Sequence, residues 1–265
     1  MAETFVRYEL NQEAAFITLD APKTRNALTA AIVADLIEHL QRAHADEAVR
    51  AIVVTGSGPA FCAGADLRAR GNMGDATPSG GNPFVQLLKL MRDGEKPVIA
   101  AVNGAAFGGG AGLVAAADIA IASANASFSF SEVRLGVIPA MISVVVLPKL
   151  GEHQTMRLFL TGERFNAHEA HGYGLLHKVV AADLLEQTVL AEVRAIAAGG
   201  PNAIREAKAL VRNVAKLSED AGYAYAEEKI AKLFASEEAA EGIAAFVGKR
   251  PAVWVKSGVK KVKKP

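Results

Sequence analysis

The sequence predicts an α/β fold with crossover connections, and three observations predict it. Short apolar runs at 50–55, 97–102 and 119–123 are separated by stretches of helical periodicity, the alternation of a sheet built through crossovers. The first two runs each end in a turn of small residues, a loose structural repeat. The chain has 265 residues, of which 51% are apolar and 22% charged. That suits an ordinary globular protein with a sizeable core, as one large domain or two small ones.

Residues 5–10 and 14–20 read as a hairpin joined by Asn11-Gln12-Glu13. A loop over 21–26 follows. Thr29 can cap the next helix, because Ile32, Val33, Leu36, Ile37 and Leu40 fall on one face at helical spacing. The strand at 50–55 is broken by Gly56-Ser57-Gly58-Pro59. Residues 68–81, rich in Gly, Asp, Ser and Pro, read as a mobile loop. Asn82-Pro83 has the order of an N-cap followed by proline at the first helical position, and that helix ends near Asp93-Gly94.

The strand at 97–102 enters Ala105-Ala106-Phe107-Gly108-Gly109-Gly110-Ala111-Gly112-Leu113, and a helix over 111–117 leaves it. From about Met141 helical periodicity takes over, at 141–150, 152–160, 181–197, 201–216, 219–234 and 237–247. Asn166 can cap a short helix that Gly172 or Gly174 stops. An all-helical C-terminal third is therefore expected, as an appendage of the same domain. Residues 258–265 form a lysine-rich tail.

Composition excludes several function classes. A net charge of +1 offers no global field for nucleic acid, and the single cysteine, Cys62, permits no disulfide framework or zinc cluster within one chain. The segment Met1-Ala2-Glu3-Thr4 has neither a positive nor an apolar export region, and no apolar run approaches membrane-spanning length. A reducing, cytoplasmic location is expected. Lys260, Lys261, Lys263 and Lys264 could suggest RNA, but a charge run is usually a solvated tail.

The glycine turn is the chemical focus. Glycines at a strand-to-helix junction let the backbone approach a ligand and leave the first helical amides free, where the helix dipole adds positive charge. Gly110-Ala111-Gly112-Leu113-Val114-Ala115 also matches a dinucleotide fingerprint, but no acidic residue closes a second strand at the distance a ribose requires. Ala63-Gly64 offers a second set of amides beside small side chains. Two amides converging on one oxygen form an oxyanion hole. A nucleophile elbow is absent, and His39, His44, His153, His168, His171 and His177 fall mostly on helical surfaces. The device would therefore serve an enolate, which needs an acid or base nearby. Glu132 is the candidate, in Phe128-Ser129-Phe130-Ser131-Glu132-Val133-Arg134-Leu135-Gly136-Val137-Ile138-Pro139, where burial would raise its pKa. The competing reading is a surface glutamate paired with Arg134.

Phe61-Cys62-Ala63-Gly64-Ala65-Asp66-Leu67, the run Asn103 to Gly110, and the run Ser131 to Pro139 together resemble the crotonase, or enoyl-CoA hydratase/isomerase, superfamily. The resemblance covers nearly the whole chain. It implies a ClpP/crotonase-like spiral of ββα units over 1–195 carrying the acyl-CoA site. A helical trimerisation region of the same domain would follow over 196–265, giving a homotrimer or dimer of trimers. It implies that the amides of Ala63 and Gly109 hold the thioester carbonyl and that Glu132 is a catalytic glutamate. Backbone from Ala63 through Gly64, Ala65 and Asp66 to Leu67 would bind the adenine end of CoA, with Lys23 and Arg25 beside its pantetheine and phosphates. Asp66 and Asp118 read as structural. No cofactor is implied, since CoA belongs to the substrate.

The sequence departs from the family pattern at two places. Hydratases with two glutamates carry one where this chain has Gly112, and the family's Gly-rich stretch after Ile-Pro is here Ala140-Met141-Ile142-Ser143. The combination resembles a subgroup acting on branched, carboxylated chains such as 3-methylglutaconyl-CoA. The expected activity is hydration of a 2-enoyl-CoA. Alternatives are Δ3,Δ2-enoyl-CoA isomerisation and a non-catalytic acyl-CoA- or RNA-binding role. Gly112→Glu is expected to restore a second carboxylate.

Overall fold

The computed structural model describes residues 5–68 and 81–256. Apart from its two end residues, the loop expected over 68–81 lies outside the described residues, as do the four tail lysines. The elements in chain order are β1 (Val6–Asn11), β2 (Ala14–Leu19), α1 (Ala30–Ala45), β3 (Ala51–Gly56), β4 (Ala60–Cys62), α2 (Pro83–Asp93), β5 (Val98–Val102), β6 (Ala105–Phe107), α3 (Gly109–Ala116), β7 (Ile119–Ser123) and β8 (Ser127–Ser129). Then come α4 (Ala140–Thr161), β9 (Arg164–Asn166), α5 (Ala167–Gly172), β10 (Lys178–Val180), α6 (Leu185–Ala197), α7 (Pro201–Val214), α8 (Glu219–Phe234) and α9 (Glu237–Val247).

Two sheets organise the core. The larger runs β1-β2-β3-β5-β7-β10, and the smaller runs β4-β6-β8-β9. The first pair of the large sheet is antiparallel and its other pairs are parallel, with Ile52 opposite Val98 and Ile99 opposite Ile119. In the small sheet β4, β6 and β8 are parallel, and β9 returns antiparallel. Each of β3–β4, β5–β6 and β7–β8 therefore gives one strand to each sheet, and a helix carries the chain to the next pair. Crossovers of this kind cover both faces of a parallel sheet, so every residue of β5 is buried.

Alternation along β3 shows the two faces. Ile52 and Val54 join the larger apolar cluster with Ile32, Leu36 and Leu40 of α1. Ala51 and Val53 join a second cluster with Leu185, Val189 and Val193 of α6. The Thr29 hydroxyl accepts from the Ile32 amide and caps α1. Truncating fully buried Leu36 to alanine would cost about 2–5 kcal/mol.

The C-terminal third is not all helical. Strands β9 and β10 return to the small and large sheets, and three-residue strands carry too little period to be seen in sequence. Asn166 does cap α5, in a capping box with Glu169. The two helices expected over 141–150 and 152–160 are halves of α4, divided at Gly151 (φ 70°). The boundary expected near 195 falls in the last turn of α6. Beyond it burial drops sharply: α7 buries no residue, α8 only Gly222 and α9 only Ala245. Among the described residues, no helix is long and apolar enough to cross a membrane.

Candidate active site

The site forms where the end of β4 meets the start of α3. Helix α3 begins at Gly109, two residues earlier than its periodicity suggests, because glycines carry no apolar signal. Gly64 holds φ 88°, a left-handed conformation that glycine adopts at little cost. A β-carbon there would lie 2.7 Å from the Phe107 carbonyl oxygen and 3.4 Å from the Gly109 nitrogen. Only a glycine lets the two segments approach this closely.

Backbone pairing decides which amides are free. The Ala63 amide donates to the Arg25 carbonyl at 2.9 Å. Leu28 bridges the next stretch: its amide donates to Gly64 O at 2.7 Å, and its carbonyl accepts from the Asp66 amide at 3.1 Å. The Ala65 amide, between these two bonds, has no backbone or side-chain acceptor among the described residues. The Gly109 amide likewise has none, as the first of the helix. The expectation that Ala63 supplies an oxyanion donor is therefore corrected: its proton is already taken. Ala65, two residues on, presents the open amide on this strand. Local sequence could not decide between them, because their parity is set by Leu28, far away in the chain.

Glu132 enters from the third ββ pair. It lies in a 3-10 turn, Ser131–Leu135, closed by Gly136 at φ 75°. Behind the turn Phe130 packs edge-on against Phe159, with ring centroids 5.0 Å apart, and also meets Phe165. A β-carbon built on Gly108 would lie 3.0 Å from Glu132 Oε1, so the carboxylate rests on the glycine turn itself. Its Oε2 is buried and has no hydrogen-bond partner. Burial holds its carboxyl above the ordinary glutamate range, opposed by a backbone hydrogen bond. The competing surface pair does not form: Arg134 donates from Nε and Nη2 to the Thr161 carbonyl, each at 3.2 Å.

The other named residues divide. Lys23 and Arg25 are exposed at the 3-10 turn Pro22–Thr24, whose neighbouring carbonyl holds Ala63. Asp66 accepts from the Arg68 amide at 3.0 Å, as a turn partner, and Leu67 is exposed. Asp118 is structural: it accepts from the Val98 amide at 2.8 Å and pairs with Lys208 and Arg212 at the N-terminal ends of β5 and β7. His39, His44, His171 and His177 meet backbone groups elsewhere. Burial pushes His44 down to about 4 and buried Cys62 up to about 12, so both stay neutral at pH 7.

Two residues whose contacts the sequence does not reveal shape the site. Asn26 is fully buried, and its side chain ties the loop before α1 to β4. Nothing local signals this, since the acceptors of its amide nitrogen lie 31 to 35 residues on. Ile142 packs directly on Gly112: a β-carbon there would come within 2.9 Å of Ile142 Cβ and closer still to its γ2-methyl. The expected gain from Gly112→Glu alone is thereby corrected, because Ile142 fills the space the new side chain would need.

An activated pair of amides, a helix N-terminus and an unpaired buried carboxylate can together stabilise an enolate and move a proton to or from it. Comparison with known proteins agrees. The sequence model described as enoyl-CoA hydratase/isomerase matches residues 9–257. The carnitinyl-CoA dehydratase of Proteus mirabilis is 39% identical over 246 residues, covering 90% of this chain and 93% of that protein. The crystal structure of an enoyl-CoA hydratase from Shewanella pealeana superposes with a TM-score of 0.88 at 31% identity, covering 94% of this chain and 96% of that one. Pseudomonas aeruginosa AtuE superposes with a TM-score of 0.87 at 35% identity, covering 95% and 100%.

Proposed function

From the premise that the chain belongs to the enoyl-CoA hydratase/isomerase family and has the crotonase fold, we propose that it adds water across, or removes it to form, the 2,3 double bond of an acyl-CoA thioester, with Glu132 as its acid–base group. The observation that carries this reading is the buried, unpartnered Oε2 of Glu132 against Gly108. In the hydration direction Glu132 accepts a proton from the water whose oxygen bonds to the β-carbon. The electron pair of the double bond moves toward the thioester, whose oxygen lies between the Ala65 and Gly109 amides. Glu132 then returns its proton to the α-carbon, and the thioester carbonyl reforms. The α3 dipole favours the negative oxygen.

The exposed cations Lys23 and Arg25 carry suitable charge for the CoA phosphates, beside the backbone of Ala63 to Leu67. CoA enters as part of the substrate. A buried, neutral Cys62 accords with a reducing compartment, and we place the enzyme in the cytoplasm. Broad apolar exposure on α7 to α9 supports a homotrimer or a dimer of trimers.

Isomerisation is a second reading, favoured by the presence of one carboxylate on the glycine turn and none at Gly112. Glu132 would take a proton from the α-carbon of a 3-enoyl-CoA and return it to the γ-carbon, shifting the double bond into conjugation. A panel of crotonyl-CoA, 3-methylglutaconyl-CoA, carnitinyl-CoA and a 3-enoyl-CoA, followed by the ultraviolet absorbance of the conjugated thioester, tests both. Turnover of none of them overturns the reading.

A further inference from the structure

Gly108 and Gly112 are four residues apart, and the Gly112 amide donates to the Gly108 carbonyl at 3.0 Å. Gly108 is the N-cap of α3, and this bond sets the two residues one turn apart, about 6 Å along the axis. The Glu132 carboxylate rests on the first and Ile142 on the second. The two side chains thus meet α3 one turn apart. Ile142 is only 3% exposed, and its α-carbon is 3.9 Å from the position of a β-carbon on residue 112. The body of the residue, and not only its tip, occupies this place. A β-branched side chain is stiff about its first torsion and cannot swing aside. Around Gly109 the nearest side-chain atoms are Leu28 Cδ1 and Phe84 Cζ, also apolar.

We propose that Gly112 and Ile142 are a matched pair that walls the site with hydrocarbon one helical turn from the Glu132 contact, and that this wall sets how readily Glu132 adds water relative to relaying a proton along the acyl chain. The inference rests on the acyl-CoA reading above and assigns Ile142 as its determinant of reaction choice. An ordered water needs two to four polar partners. Among the described residues, the side chains that face Gly108, Gly109 and Gly112 offer it one carboxylate, that of Glu132, whereas a proton carried between two carbons needs no water. The two departures in sequence, Gly112 and Ile142, are then one structural event: bulk absent from α3 is supplied from the first turn of α4.

The test compares wild type with Ile142→Ala, Ile142→Gly, Gly112→Glu and the Gly112→Glu/Ile142→Gly double variant. Two quantities are read: the ratio of crotonyl-CoA hydration to 3-enoyl-CoA isomerisation, as kcat/KM values, and the thermal midpoint. The double variant, which removes the wall and supplies a second carboxylate to hold water, raises the ratio about tenfold, and opening the wall alone in Ile142→Ala raises it less. Overpacking makes Gly112→Glu alone lower the midpoint by about 2–12 °C, and by clearly less in the Ile142→Gly background. An unchanged ratio in both Ile142→Ala and the double variant overturns the reaction bias. An equal loss of midpoint in both backgrounds overturns the pairing. Wild type inert toward all four esters of the panel above would instead overturn the acyl-CoA reading and the reaction choice with it, while the thermal comparison still decides the pairing.

Discussion

The Asn26 side chain donates to the Ala60 carbonyl at 2.8 Å, across 34 residues of sequence. The same amide nitrogen reaches Ser57 O at 3.0 Å and Phe61 O at 3.2 Å, and its oxygen accepts from the Ala21 amide at 2.9 Å. These bonds hold Arg25 and Asn26 in consecutive left-handed conformations, φ 55° and 57°. They also set the Arg25 carbonyl against the Ala63 amide, which fixes the parity that leaves Ala65 open.

Asn26→Ala should therefore destabilise the protein and slow it. It strips buried carbonyls of their donor and removes an αL-tolerant residue. Unsatisfied buried groups of this kind cost about 1–3 kcal/mol each. A thermal melt should show a clear drop, with kcat/KM falling more than the unfolded fraction explains. A midpoint equal to wild type would remove Asn26 from this role.

Glu132→Gln should lose about 10²–10⁴ of turnover while acyl-CoA binding stays near wild type, because it removes the proton carrier and almost no volume. Steady-state rates and calorimetric titration with a CoA ester check the two halves. A rate close to wild type would exclude Glu132 from the chemistry.

The pH dependence follows from the direction of the Glu132 shift. Burial raises its carboxyl pKa, so the base form needed for hydration appears only above the ordinary glutamate range, and the acid limb of kcat/KM should lie there. A raised folded pKa also contributes stability that is full below the unfolded value and lost as pH rises through the folded one. Glu132→Gln, which carries no charge, should be more stable than wild type near neutral pH, and that advantage should shrink as the pH falls through the raised value. Urea melts across that window test it; an advantage independent of pH would refute the link.

Gly109→Ala and Gly109→Pro separate amide from shape. Both add a β-carbon facing Leu28 Cδ1 at 3.1 Å and Phe84 Cζ at 3.3 Å, flexible tips that can give. Proline is tolerated at the first helical position, so the fold should survive. Only proline deletes the N–H, and it should fall below the alanine variant by about 10²–10³ in kcat. Equal rates in the two folded variants would refute the oxyanion role of Gly109.

The helices after α6 should hold copies of the chain together. Phe246 is 86% exposed and Val211 71% exposed, with Phe234, Tyr223 and Ile230 also open. A monomer in isolation rarely displays so much apolar surface. Sedimentation at micromolar concentration should show a trimer or hexamer, and a monomer would contradict the proposal.

What was legible in the sequence was what repeats or carries charge. Thr29, Asn82 and Asn166 mark helix starts that the structure keeps, because caps act within three residues. Glu132 stood out as a carboxylate among apolar neighbours. Ala65 and Asn26 were not legible as a donor and a tie, because each depends on a bond to a distant strand. Ile142 stands out in sequence only as part of a departure from a Gly-rich stretch, without its partner. Its meaning lies in the missing side chain of Gly112, which no periodicity reports.

The pairwise construction of the two sheets has a further consequence. Ala65 follows the first pair of strands, Gly109 the second and Glu132 the third. The groups proposed to receive negative charge and the group proposed to move protons thus belong to separate windings of one coil. The coil's pitch, set by buried strands, fixes their spacing. The short turn at Ser131–Leu135 and the head of α4 lie in a winding separate from both amides. On the reading proposed above, the fold is a chassis with a separate head: the thioester grip belongs to the first two windings, and the reaction performed on it to the segment from Ser131 to Ile142.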